Sequence, residues 1–213
     1  MEKENTPDSQ WMQWARSLQA ISQTGLHFSG DPYDRERYEQ IGKISAEILA
    51  RHSSLAVGEI LELNKSEFGY ATPKVDVRGV VFRNGKILLV RETADRGRWT
   101  LPGGWADVNE APSIAVVREV FEESGFETRT QKLLAVYDRE TQGHEPSFPY
   151  TVYKLFFLCE ITGGEARPNS EASEIAFFGE NELPELSTSR VKETQIRRFF
   201  EYYRQPDLPT DFD

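Results

Sequence analysis

Three carboxylates in one short run suggest the chemistry of this chain. Glu119, Glu122 and Glu123 fall at i, i+3 and i+4 within the stretch from Pro112 to Ser124. On a helix turning about 100° per residue they share one side. Pro112 suits a first helical position, where its missing N–H would be unpaired anyway. Gly125 suits the residue just past the end, where a positive φ is wanted. Carboxylates crowded in this way repel one another unless something positive stands between them. Hard divalent cations take oxygen ligands and bridge carboxylates to phosphates, so they would answer that need. A bare helix of this pattern is also consistent with a solvated acidic face. The same wheel makes Ile114, Val117, Val120 and Phe121 the core-facing stripe.

Ahead of the helix, Trp99 to Trp105 contains Pro102, Gly103 and Gly104 and reads as a loop. Paired glycines let backbone approach a ligand or turn sharply. From Gly104 to Phe126 the chain spells Gly-x5-Glu-x7-Arg-Glu-apolar-x-Glu-Glu-x-Gly-apolar. This resembles the Nudix box at every defined position. The resemblance implies a Nudix hydrolase, which cleaves a nucleoside diphosphate linked to another moiety, X, with Mg²⁺ as cofactor and Mn²⁺ able to substitute. It also implies roles. Glu119, Glu122 and Glu123 match the metal-binding carboxylates, and Glu119 the general base as well. Arg118 matches the residue that orients them, although an ordinary i, i+4 pair with Glu122 fits it too. Gly103 would lend a carbonyl to the metal, Gly104 would hold the turn, Glu110 would orient its neighbours, and Gly125 completes the box. Many members add an acidic residue outside the box; Glu171 and Glu174 are the candidates, and both also fit solvated loop charge. Two positions depart from a common family pattern, Asn109 before the box Glu and Ala111 after it. Asn tolerates left-handed backbone angles. Ala111 cannot N-cap the helix, a loss of about 1 kcal/mol unless compensated.

Attack of water on a diphosphate needs an acidified nucleophile and an offset for the phosphoryl charge, which metals held by clustered carboxylates can supply. The resemblance also extends over the front of the chain, to the Nudix subgroup with an N-terminal helical domain. Trp14 to Leu26, Asp34 to Glu39, Asp76 to Gly79, Tyr137 to Arg139 and Tyr153 to Phe157 carry it. It implies a dimer acting on ADP-ribose, CDP-choline or UDP-linked sugars. Arg78, Tyr137, Arg139, His144 and Tyr153 are then the expected contacts for the base or X, and each also fits a structural role. His144 could change charge near neutral pH. The rival readings are a nucleoside triphosphate or RNA 5′-end pyrophosphohydrolase, and a non-catalytic nucleotide-binding regulatory module.

The chain has 213 residues with 35 acidic and 25 basic side chains, a formal charge of -10. That balance disfavours nonspecific nucleic-acid binding, so no DNA partner is expected. Cys159 stands alone, which excludes an intrachain disulfide, fits a cytoplasmic protein and reads as a small buried hydrophobe rather than a nucleophile. No stretch reaches membrane-spanning length.

Residues 1–8 read as polar and frayed. Trp11, Trp14, Ala15, Leu18 and Ile21 mark an amphipathic helix from Ser9 to about Thr24, stopped by Gly25. Asp31-Pro32 starts a second helix reaching about His52, and Val57 to Leu63 a third. With a linker over 64–73, the chain is read as a helical N-terminal domain over 1–68, for dimerisation or substrate capping, and a hydrolase domain over 69–213. Strands are expected over Val75 to Phe82, Lys86 to Val90, Leu133 to Tyr137, Thr151 to Ile161 and Ile175 to Phe178. Asn84-Gly85 is a hairpin turn, and Glu193 to Tyr203 a closing helix. The fold class is α/β, a Nudix-type α/β/α sandwich with a mixed sheet, preceded by a small all-helical domain.

Overall fold

The computed structural model describes residues 7–213. The chain divides into two compact units. One comprises residues up to Pro73 together with Pro146–Thr151; the other comprises Lys74–Glu145 and Val152–Asp213. Of the frayed start expected over residues 1–8, residues 1–6 lie outside the described residues, and a helix already begins at Pro7.

The first unit holds α1 (Pro7–Phe28), α2 (Pro32–Arg51) and α3 (Val57–Lys65) around Met12, Ala15, Ala46, Leu49 and Ile60. Asp31 caps α2, its carboxylate accepting from the N–H groups of Tyr33 and Asp34 at 2.9 Å each. The buried face of α1 is Met12, Ala15, Gln19 and Ser22, whereas Trp11, Trp14 and Ile21 of the expected stripe are exposed. The reason is close approach. Ser45 Oγ donates to Ala15 O and Ser22 Oγ donates to Tyr38 O, both at 2.7 Å, and large rings do not fit between backbones so near. Gly25 is not a helix stop. The helix runs through it to Phe28, and a Cβ there would stand 2.4 Å from the Tyr38 ring. The Pro146–Thr151 segment belongs to this unit, where Arg16 donates twice to Phe148 O.

The second unit is built on β1 (Lys74–Arg83), β2 (Lys86–Glu92), β3 (Arg98–Thr100), β4 (Gly103–Trp105), β5 (Phe126–Asp138), β6 (Val152–Gly164), β7 (Ala172–Phe178) and β8 (Asp211–Phe212), with α4 (Pro112–Ser124) and α5 (Glu193–Arg204). The sheet runs β3-β2-β1-β6-β5-β8, with β4 also on β1 and β7 also on β2. It is mixed: β1 is parallel to β6 and antiparallel to β2 and β4. Asn84 and Gly85 both take positive φ, as the two-residue hairpin requires. Successive strand residues point to opposite faces. Val77, Val81 and Leu88 pack with Val116 and Val120 of α4, while Val80, Leu89 and Phe156 pack with Phe199 and Phe200 of α5. This is the sandwich the resemblance implied.

Two expectations fail. The Trp99 to Trp105 stretch is not a free loop, since β3 and β4 pair into the sheet. Gly104 lies opposite Val77 in a strand rather than in a turn. The buried face of α4 is also rotated from the expected stripe. It carries Ala115, Val116, Val120, Glu123 and Ser124, while Ile114 and Phe121 are 58% and 41% exposed. The polar atoms waiting in the sheet make an acidic side the better inward face. Small residues allow the contact: a Cβ on Gly79 would lie 2.3 Å from Val120 Cγ2. Gly79→Ala should therefore lower stability in urea denaturation by about 1–3 kcal/mol through overpacking. Combined with Val120→Ala, the loss should fall below the sum of the two singles.

Candidate active site

The N-terminal approach to α4 is shaped by backbone more than by a cap. Asn109 takes a left-handed φ of 64°, and Ala111 makes no side-chain cap bond. At the other end Gly125 adopts φ 78°, and its N–H donates to Phe121 O at 2.8 Å. Between these ends Arg118 spreads its guanidinium over three carboxylates. Its Nε donates to Glu110 Oε1 at 3.1 Å and one terminal nitrogen to Glu110 Oε2 at 2.9 Å. The other terminal nitrogen donates to Glu119 at 2.8 Å and to Glu122 at 2.9 Å. The hydrogen bond to Glu110 comes first among the causes that raise the Arg118 pKa, and the same contact holds Glu110 below the usual carboxylate range. The i, i+4 pair with Glu122 is thus one arm of a wider fork.

Glu123 turns the other way. It is 7% exposed and accepts from the Gly103 N–H at 2.9 Å. Burial pushes it up to about 7, against the pull of Arg78 and the Gly103 N–H, with Glu119 and Glu92 adding to the rise. Burial also raises Glu119, although Arg118 and Arg78 oppose it. Gly103 has φ 144°, and a Cβ there would meet Val77 O at 2.1 Å. A Cβ on Gly104 would stand 2.9 Å from Glu119 Oε2. Gly104 is what lets Glu119 lie against β4, and Gly103 is what lets β4 approach Val77 and Arg78 of β1.

Among the described residues no group of three or more His, Cys, Asp or Glu side chains gathers as a metal cage. Arg118 holds Glu119 and Glu122, and Gly103 holds Glu123. The donor set fits a hard divalent cation: oxygen ligands, two of them drawn out of water and raised in pKa, beside the Gly103 and Gly104 backbone. Of the two acidic candidates outside the box, Glu174 is exposed and paired with Arg91 at 2.6 Å. Glu171 is also exposed, and its carbonyl accepts from Thr93 N–H. Sequence reasoning missed Glu92, at the end of β2, whose charge acts on Glu123 and which Arg190 holds at 3.3 Å. Its only sequence signal was its place at a strand end, which any loop acid shares.

Four of the five expected substrate contacts are interior. Arg78 is buried, donating twice to Asp76 and once to Leu101 O. Tyr137 is buried and its hydroxyl donates to Asp211 at 2.8 Å. Arg139 is buried with Glu140 at 3.8 Å. His144 is buried, with Nδ1 on Thr188 O at 3.0 Å and Nε2 on the Gln195 amide at 3.1 Å. The two partners make the neutral ring a donor at Nδ1 and an acceptor at Nε2, so neither nitrogen is left for a substrate proton. Only Tyr153 keeps an exposed ring.

The chain is similar to known proteins over nearly its whole length. Residues 72–199 match the family described as the NUDIX domain, and residues 9–63 match one described as a UDP-X-like, N-terminal oligomerisation domain. A protein named putative ADP-ribose pyrophosphatase YjhB from Bacillus subtilis is 45% identical over 205 residues, 96% of this chain and 98% of that one. A crystal structure of a UDP-X diphosphatase superposes with a TM-score of 0.61 at 34% identity, covering 97% of this chain and 99% of its own. An ADP-ribose pyrophosphatase structure from Streptococcus suis gives the same TM-score at 38% identity, covering 67% of this chain and all of its own.

The buried ring of His144 makes a testable contribution to stability. Burial pulls it down from 6.5 to about 3, with the charge of Lys154 next and the Thr188 carbonyl opposing. The folded value is depressed, so the contribution is complete above about 6.5 and is lost as pH falls toward about 3. Wild type should lose about 1–2 kcal/mol more than His144→Gln between about pH 6.5 and 5, read by urea denaturation at each pH.

Proposed function

The chain belongs to the Nudix hydrolase family, and from that premise we propose that it hydrolyses a nucleoside diphosphate linked to a second moiety, of the ADP-ribose, CDP-choline or UDP-sugar kind. The products are a nucleoside monophosphate and X-phosphate, and Mg²⁺ or Mn²⁺ is the cofactor. One observation carries the reading. Gly103 donates to Glu123 and Gly104 lies directly against Glu119, which gathers two carboxylates on one strand as the oxygen donors that a diphosphate's cation takes. Relatives named for ADP-ribose favour that substrate first.

In this reading Glu119, Glu122 and Glu123 would hold the cation, with the Gly103 backbone beside them. When bound, the cation offsets phosphoryl charge and acidifies a water. Glu119, raised by burial, would serve as the base for an attacking water. Arg118 keeps Glu119 and Glu122 from drifting apart, and Glu110 anchors Arg118 in turn. The Gly103 N–H fixes Glu123. Tyr153 is the remaining exposed candidate for contact with X or the base. The helical unit serves as an oligomerisation module, consistent with the family description of residues 9–63, and makes the protein a homodimer. No helix among the described residues is long and apolar enough to cross a membrane, and we place the enzyme in the cytoplasm.

The test is product analysis by chromatography with Mg²⁺ or Mn²⁺ against ADP-ribose, CDP-choline, UDP-sugars and nucleoside triphosphates. Release of a nucleoside monophosphate from one diphosphate is the expected result. Turnover of triphosphates alone would replace this reading with a triphosphate pyrophosphohydrolase. Glu119→Gln should lower kcat by at least about 10²-fold while the thermal melt stays near wild type. Undiminished turnover in that variant would remove Glu119 from the mechanism.

A further inference from the structure

Beneath the glycine strand lies a buried charged row that the proposed reaction does not use. In the β1 register Asp76 stands opposite Trp105 on β4 and Lys154 on β6, and Arg78 stands opposite Gly103 and Phe156. Residues directly opposed across strands share a face. Asp76, Arg78 and Lys154 therefore lie with Val80 and Phe156 on the α5 side of the sheet. Gly104, opposite Val77, faces Glu119 on the α4 side. The three residues are 4%, 5% and 2% exposed. Asp76 accepts from Arg78 at 3.0 and 2.7 Å and from Lys154 at 2.6 Å.

Two cations share one anion, leaving one net positive charge out of water. Buried ion sets of this kind are weak devices for stability, because well-packed apolar residues often do as well. The surplus charge has a direction, however. Arg78 acts on both Glu119 and Glu123: it stands opposite Gly103, its side chain packs against that glycine, and Gly103 and Gly104 in turn meet Glu123 and Glu119. The row itself is buried, so its field is less screened than that of surface charges. Lys154 also lies within electrostatic reach of Arg139 and His144. Asp76 alone would cancel Arg78; Lys154, bonded to the same carboxylate, prevents that.

We propose that Lys154 is a positioning residue for the reaction: by sharing Asp76 with Arg78 it preserves a net positive charge behind Gly103 and Gly104, which favours the anionic diphosphate at the carboxylate site and restrains cation affinity there. This rests on the diphosphate reading above for its anion half only. Lys154→Met removes the charge and leaves the Asp76–Arg78 pair intact. Two quantities are measured at pH 7: Mn²⁺ binding to the substrate-free protein, by electron paramagnetic resonance of free Mn²⁺, and KM for the diphosphate at saturating Mg²⁺. The expected result is opposite movement, Mn²⁺ binding tighter and KM higher, each by about 3-fold or more, the direction that loss of one nearby positive charge gives. Lys154→Arg should return both toward wild type. Loss of structural order would instead weaken both together, and that outcome, or no change in Mn²⁺ binding with an unaltered melt, overturns the proposal. If Lys154→Met does not fold, Lys154→Gln, which can donate to Asp76 without charge, carries the same two expectations. The Mn²⁺ measurement needs no substrate, so it decides the inference even where no diphosphate is turned over; turnover without the Mn²⁺ shift sinks the inference and spares the reading.

Discussion

The hydrogen bond from the Gly103 N–H to the Glu123 carboxylate is the constraint on which the rest of this site depends. It joins α4 to β4, and through β4 to β1, the strand at the centre of the sheet. A buried carboxylate without such a partner is costly, so the bond selects the rotation of α4 about its own axis. That rotation puts Glu123 and Ser124 inward with Val116 and Val120, and turns Ile114 and Phe121 toward solvent. The absence of side chains at Gly79, Gly103 and Gly104 is its steric condition, since a Cβ at any of them would collide with Val120, Val77 or Glu119.

Two arginines then divide the electrostatic work. Arg118 lies at the partly exposed edge and binds Glu110, Glu119 and Glu122 directly, countering their repulsion by charge-assisted bonds. Arg78 lies buried on the other side of the sheet and acts through space, its own donors engaged by Asp76 and Leu101. Asp76 is held well down: burial works against its charge, and Arg78 and Lys154 overcome it. Lys154 is driven down to about 8 by burial, with Asp76 resisting. The carboxylate site is thus set between a positive edge and a positive floor, in a chain whose formal charge is -10.

The far side of the sheet is given to packing and internal polar bonds. Phe199 and Phe200 of α5 cover Val80 and Phe156. Tyr137 binds Asp211 on β8, and His144 joins the Thr188 carbonyl to Gln195 in the first turn of α5. Gln195 in turn accepts from the Lys192 N–H. These residue types suit nucleotide binding as well as they suit buried struts. What separates the uses is burial, which depends on where α5 and the C-terminal segment lie.

The sequence by itself determined what is local. The limits of α4 follow from Pro112 and Gly125, the hairpin at Asn84 and Gly85 from their tolerance of positive φ, and the start of α2 from Asp31 and Pro32. The family follows from the box, because its spacing is a property of one continuous stretch. The tertiary structure decided everything that depends on register and packing. Asp76 meets Lys154 only because β1 and β6 pair across 78 positions of chain, and Glu92 nears Glu123 only because β2 and α4 meet on one face. Gly25 reads as a stop until Tyr38 is placed beside it. The apolar stripe of α4 reads as its buried face until the Gly103 N–H claims an acid there. Periodicity reports which residues share a side; it does not report what stands opposite, and in this site the partner opposite decides.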